Sequence, residues 1–131
     1  MVAESVESVV ITLNNSTWIS SDANKQHHVE LVEGIPVFIS CTATGGYPAP
    51  HVTIRIGGND ITHTFEAAVN QTLLRGNGRG LRYIKNEIHL RAPRYVPQLN
   101  VNEQVLYCLA EVTGLQVAVQ QIQLVIYCKF F

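Results

Sequence analysis

The residues with the most defined chemistry in this chain are three cysteines, at positions 41, 108 and 128. None belongs to a Cys-x-x-Cys pair, so the spacing encodes neither a zinc cage nor a dithiol redox motif. Cys41 sits where Val37, Ile39 and Cys41 alternate with Phe38, Ser40 and Thr42, the period of two of a strand with one buried face. Cys108 has a similar setting in the run QVLYCLAEV. Two cysteines in separate alternating strands fit a disulfide between two sheets, and such a bond belongs to an oxidising compartment. Cys128 is left to pair with another chain, to pair with a cysteine outside this sequence, or to remain a free thiol.

Catalytic chemistry finds no comparable pattern. The chain has no GxSxG elbow, no HExxH and no phosphate-loop lysine after a glycine-rich turn. Gly76, Gly78 and Gly80 have nucleotide-loop spacing but no helix pattern after them, so they read as an inter-strand loop. Of the five histidines, His27 and His28 are adjacent but lack an identifiable third ligand. A non-enzymatic protein without metal or cofactor is expected. Three sequons, beginning at Asn14, Asn15 and Asn70, are candidate N-glycosylation sites and agree with an extracellular setting. Six of the nine basic residues, Arg75, Arg79, Arg82, Lys85, Arg91 and Arg94, fall in one segment. That segment could attract an acidic glycan, or it could be a solvated loop and strand edge.

These groups have to be positioned by strands. With 131 residues, 47% apolar and only 15% charged, the chain can bury a core as one domain, its centre spanning about 30–127. A net charge of −1 gives no bulk attraction to nucleic acid, and no apolar run is long enough for membrane insertion. The N-terminus lacks the charged and apolar regions of a signal peptide; if the protein is secreted, a natural leader is expected to have been removed. The ending CKFF suggests a piece of a longer multidomain chain.

Val9–Leu13 reads as a first edge strand, followed by a polar loop over 14–26 that Trp18 pins to the body. An extended run covers His27–Val32. Gly45, Gly46, Pro48 and Pro50 are expected to break the Cys41 strand, after which Val52, Ile54 and Ile56 resume the alternation. A strand is expected over 61–65; 67–74 suits either a helical turn or a strand. Tyr83–Leu90 is a strand, and Pro93 and Pro97 bracket a long connection to Asn102. Val105–Val112 and Val117–Tyr127 flank a turn at Thr113-Gly114, with a bulge expected at Gln120-Gln121 where the alternation slips. Seven to nine short strands without a convincing helix describe an all-β antiparallel sandwich.

At this level the chain resembles the immunoglobulin superfamily. CTATGGYPAPHVTIRIGG is similar to the strand B to strand C passage of I-set or C2-like domains, and the run around Cys108 is similar to strand F. The resemblance covers about residues 30–127 and implies an immunoglobulin-like β-sandwich tied by a Cys41–Cys108 bridge. Ile54 stands where the family carries its core tryptophan, and Leu106 where it carries a corner tyrosine. The cysteines are 67 positions apart, closer to variable-type spacing, so the subset stays open.

The resemblance implies extracellular recognition: adhesion or receptor–ligand binding at the cell surface or in secreted form. With Cys108 inward, Val105, Tyr107 and Leu109 point outward, and Arg55 is exposed on the neighbouring strand. This outer face is the expected binding surface for another extracellular protein or a second copy of the chain. Cover by a glycan, loop or neighbouring domain is the competing reading. Glycan binding through segment 75–94, and a structural spacer role, are the alternatives in function.

Overall fold

A computed structural model describes residues 3–19, 27–75 and 82–128. Ten strands follow one another: β1 (Glu4–Leu13), β2 (Ser16–Ile19), β3 (His28–Val32), β4 (Val37–Tyr47), β5 (His51–Ile56), β6 (Asn59–Asp60), β7 (Glu66–Arg75), β8 (Arg82–Tyr95), β9 (Val105–Glu111) and β10 (Ala118–Tyr127). They form two five-stranded sheets, in the orders β2-β1-β4-β8-β7 and β3-β10-β9-β5-β6. The paired strands run antiparallel except β3, which lies parallel to β10. The expected all-β sandwich is what the chain adopts.

Alternation builds the core. Ile11 on β1, Ile39 and Cys41 on β4 and Leu90 on β8 turn inward from one sheet. Ile54, Leu106, Cys108, Ile122 and Leu124 meet them from the other. The Cys41–Cys108 disulfide crosses this layer with its Cα atoms 6.5 Å apart. Closing a 67-residue loop in the unfolded chain is worth roughly 4 kcal/mol by loop-closure entropy. Ile54, directly opposite Cys108 and 1% exposed, fills the aliphatic place beside the bridge.

Local chemistry corrects several expectations. Asn14 adopts a left-handed φ of 51° and its Oδ1 accepts the Phe38 amide at 3.0 Å. The chain therefore turns tightly at 14–15 and returns as β2, so β2 rather than β1 is the sheet edge. Trp18 sits on β2 opposite Ile11 and packs, half-buried, on the core. Gly45 and Gly46 do not end β4. With φ of 86° and 93° they carry it past a register shift in β1, and Gly45 pairs with Val6. A Cβ at Gly45 would meet Glu7 Cγ at 2.6 Å, so glycine is what lets the two backbones pass. The strand ends at the cis Tyr47–Pro48 peptide.

Residues 61–65 form no strand. Asp60 Oδ1 accepts the Thr62 amide at 2.9 Å and Thr62 Oγ1 accepts the Ile54 amide at 2.8 Å, which winds Thr62–Thr64 into one 3₁₀ turn. Ile61 and Phe65 still reach the core from either end of it. Residues 67–74 belong to strand β7. Strand β8 runs through Pro93, beside the irregularity between Val37 and Ile39 where the ladder has no need of its missing N–H. The bulge expected at Gln120-Gln121 is absent: Gln120 pairs with Cys108 and Gln121 with Tyr107 in continuous register. Gln120 therefore occupies an inward position, fully buried. The glycine-rich loop at 76–80 lies outside the described residues.

Candidate protein-recognition face

The continuous register of β10 determines what its sheet shows to solvent. With Gln120, Ile122, Leu124 and Ile126 inward, Val119, Gln121, Gln123 and Val125 point outward. Strand β9 beside it turns Leu106, Cys108 and Ala110 inward and leaves Val105, Tyr107 and Leu109 half-buried on the same outer face. Arg55 of β5 is exposed directly opposite Tyr107, and Thr53 lies opposite Leu109. Cross-strand neighbours in such pairs have Cβ atoms roughly 5 Å apart. Three of the four residues expected on this face, Arg55, Tyr107 and Leu109, are thus brought together in two adjacent cross-strand rows, and Val105 lies one row further along β9. Val119, opposite Leu109, and Gln121, opposite Tyr107, complete those rows from β10. Sequence reasoning did not count these two, although the parity of Ile122, Leu124 and Ile126 carries the signal.

The result is an apolar centre with a polar margin. A depression of about 120 Å³ beside Leu109 is lined by His51, Thr53, Arg55, Glu111 and Val117. At the other end, the Tyr127 hydroxyl donates to Glu30 Oε1 at 3.2 Å. The Glu30 charge, and then that hydrogen bond, raise the Tyr127 pKa above its ordinary value. Hydrogen bonds from Thr62, side chain first and backbone next, hold Asp60 below the usual carboxylate range at the β6 rim.

The basic segment is less concentrated than its sequence. Lys85 Nζ lies 3.5 Å from Glu7 and Arg91 Nε lies 3.6 Å from Glu66. Exposed pairs of this kind are worth under about 1 kcal/mol, yet the two carboxylates offset two of the positive charges an anion would meet. Arg94 is exposed. Arg75 and Arg82 are Cα partners in the β7–β8 register, and Arg79 lies outside the described residues.

Asn14 and Asn15 form the exposed β1–β2 turn, and Asn70 is exposed on β7. His27 and His28 do not act together: the His27 ring lies 6.5 Å from Trp18 with a buried Nε2, whereas His28 is exposed on β3. Among the described residues, no three His, Cys, Asp or Glu side chains converge as metal ligands. Cys128, just past β10, is exposed and free. No described helix is long and apolar enough to cross a membrane.

The fold is shared with tandem-domain proteins. The chain is similar to the crystal structure of Rst D1-D2, with 21% identity and a TM-score of 0.59, covering 97% of this chain and 52% of that one. It is also similar to the full ectodomain (Ig1–Ig3) of mouse nectin-like molecule 4, with 15% identity and a TM-score of 0.59, covering 98% of this chain and 36% of that one. The chain thus spans about half or less of the structures it resembles. No curated protein matches its sequence. The model of the CD80-like C2-set immunoglobulin domain matches residues 18–118, the greater part of the chain. Domains of this type are typically non-enzymatic recognition modules. With its sandwich, its inter-sheet disulfide and this match, the chain belongs to the CD80-like C2-set immunoglobulin domains.

Proposed function

We propose that this domain binds another extracellular protein through the outer face of β10, β9 and β5, with Tyr107 and Leu109 at the centre of the contact. The observation that carries this reading is the composition of β9. An outer strand face that only meets water has no use for Val105, Tyr107 and Leu109 in succession, and β10 adds Val119 beside them. Clusters of this kind, an aromatic and an aliphatic ringed by Arg and amide side chains, are the usual energetic centres of protein interfaces. The inter-sheet disulfide and the family support an extracellular location, on a cell surface or in a secreted protein.

Partner and second copy make different demands. A homophilic contact needs this face to be complementary to itself, whereas a heterophilic one needs only an apolar patch on the partner. The experiment is association of the oxidised domain, alone by sedimentation velocity and as a multimer on receptor-bearing cells, for wild type, Tyr107→Glu and Leu109→Glu. Placing a carboxylate at an interface centre should cost at least about 2 kcal/mol, roughly a thirtyfold loss of affinity. Folded variants that associate like wild type would refute the reading. Wild-type binding abolished by moderate salt would instead favour an acidic glycan acting on the cationic segment.

A further inference from the structure

On the opposite sheet, the small side chains of Ser40, Thr42 and Ala68 leave a groove of about 540 Å³ over β4, β8 and β7. Its charged walls are already occupied with one another. Arg91 leans to Glu66, and His89 Nδ1 shares a 3.1 Å hydrogen bond with Thr42 Oγ1. The resulting hollow is polar, open and close to electrically balanced. These are poor qualities for an ionic ligand and good ones for a neutral polyhydroxylated one, which presents C–H faces to small apolar side chains and hydroxyls to Arg, Thr and Ser.

A source for such a ligand stands on the groove wall. Asn70 lines the groove, is exposed, and begins the sequon Asn70-Gln71-Thr72. Ala68 precedes it by two residues on the same face, roughly 7 Å along the strand, and lies opposite His89. Strand β7 has a second need. It is a ten-residue edge strand with no proline or lysine, it exposes Val69, and nothing among the described residues pairs with its free side. An edge of this length invites pairing with another chain unless something bulky guards it.

We infer that Asn70 carries an N-linked glycan whose first sugars lie back over Ala68 and His89, covering the groove and guarding the β7 edge. In the transfer, Asn70 Nδ2 forms a bond to the anomeric carbon of N-acetylglucosamine in a lipid-linked oligosaccharide donor. The bond from that carbon to the donor pyrophosphate breaks, the pyrophosphate leaves with the electron pair, and one amide proton is lost to base. The inference does not depend on the binding reading, because the sugar covers the sheet facing away from Tyr107.

The test uses the chain secreted from mammalian cells, beside Thr72→Ala, which removes the sequon at an exposed position and keeps Asn70. Enzymatic release of N-glycans followed by peptide mapping should report aspartate at position 70 in the wild type alone. Diethyl pyrocarbonate should label His89 severalfold more slowly in the glycosylated protein than in Thr72→Ala, while His51 on the other sheet labels equally in both. Unmodified Asn70 in folded, secreted protein would overturn the inference. Occupied Asn70 with unchanged His89 labelling would overturn the seating of the sugar in the groove. If Thr72→Ala folds poorly, the enzymatically deglycosylated wild type serves as the comparator for His89.

Discussion

Replacing Gln120 with methionine should stabilise this domain. Gln120 is fully buried in line with Ile122, Leu124 and Ile126, and its Nε2 has no hydrogen-bond partner among the described residues. Its Oε1 accepts the amide of Gln121 at 3.0 Å, a bond that the methionine gives up. A buried unsatisfied donor costs about 1–3 kcal/mol, and methionine matches glutamine in length while carrying no donor. After allowance for the lost Oε1 bond and imperfect packing, a gain of about 1–2 kcal/mol is expected for Gln120→Met. At roughly 2 cal/mol/K of unfolding entropy per residue, this raises Tm by about 4–8 °C for a chain of this size. The assay is urea denaturation and thermal unfolding with the disulfide intact, with an unchanged m value showing that compactness is preserved. Had the strand carried a bulge at Gln120-Gln121, position 120 would face solvent and the change would fall within about 0.5 kcal/mol of zero. A neutral or destabilising result would refute the register that exposes Gln121 and Val119 on the proposed binding face.

Two other perturbations probe the scaffold. Asn86, 1% exposed, donates to the Gly46 carbonyl at 2.8 Å and accepts from Gln71 Nε2 at 2.9 Å, tying the β7–β8 hairpin to the glycine pair of β4. Asn86→Ala should cost about 2–3 kcal/mol and lower amide hydrogen-exchange protection at Gln71 and Thr72; unchanged protection there would sink the argument. Thr62→Val removes the acceptor of the Ile54 amide and should cost about 1–2 kcal/mol in denaturation midpoint. The same variant should move the Asp60 titration, followed by NMR, back up toward its ordinary value of 3.8. Because the folded pKa lies below the unfolded one, the contribution of Asp60 is present at neutral pH and is lost as pH falls through the folded value. An Asp60 titration that does not move in Thr62→Val would show that the hydroxyl is not its main support.

The legible part of the sequence was its period of two. Alternation placed Cys41, Ile54 and Cys108 inward and hence Tyr107, Leu109 and Arg55 outward, so the core and half of the face followed from parity alone. What alternation concealed were the positions where polar or conformationally special residues take over backbone work. Gly45 and Gly46 look like a break but sustain the ladder across a register shift, because glycine adopts their positive φ and the missing Cβ of Gly45 leaves room for Glu7. Thr62 looks like the polar half of a strand, yet its hydroxyl serves the Ile54 amide and starts a helical turn. Gln120 looks like a slip in the pattern because side-chain polarity normally reports exposure, and here it does not. Strand β2 was hidden in a polar segment whose structure depends on one asparagine turn. The cationic segment misled in another way: sequence shows the charges of Lys85 and Arg91 but not Glu7 and Glu66 beside them.

The most direct measurement of the central claim is hydroxyl-radical footprinting of the domain, free and then associated with the cells it binds or with a second copy. Tyr107 and Leu109 should lose most of their reactivity on association, while Val69 on the opposite sheet keeps its own. Protection at Val69 with Tyr107 and Leu109 left reactive would contradict the account and move the interface to the other side of the sandwich.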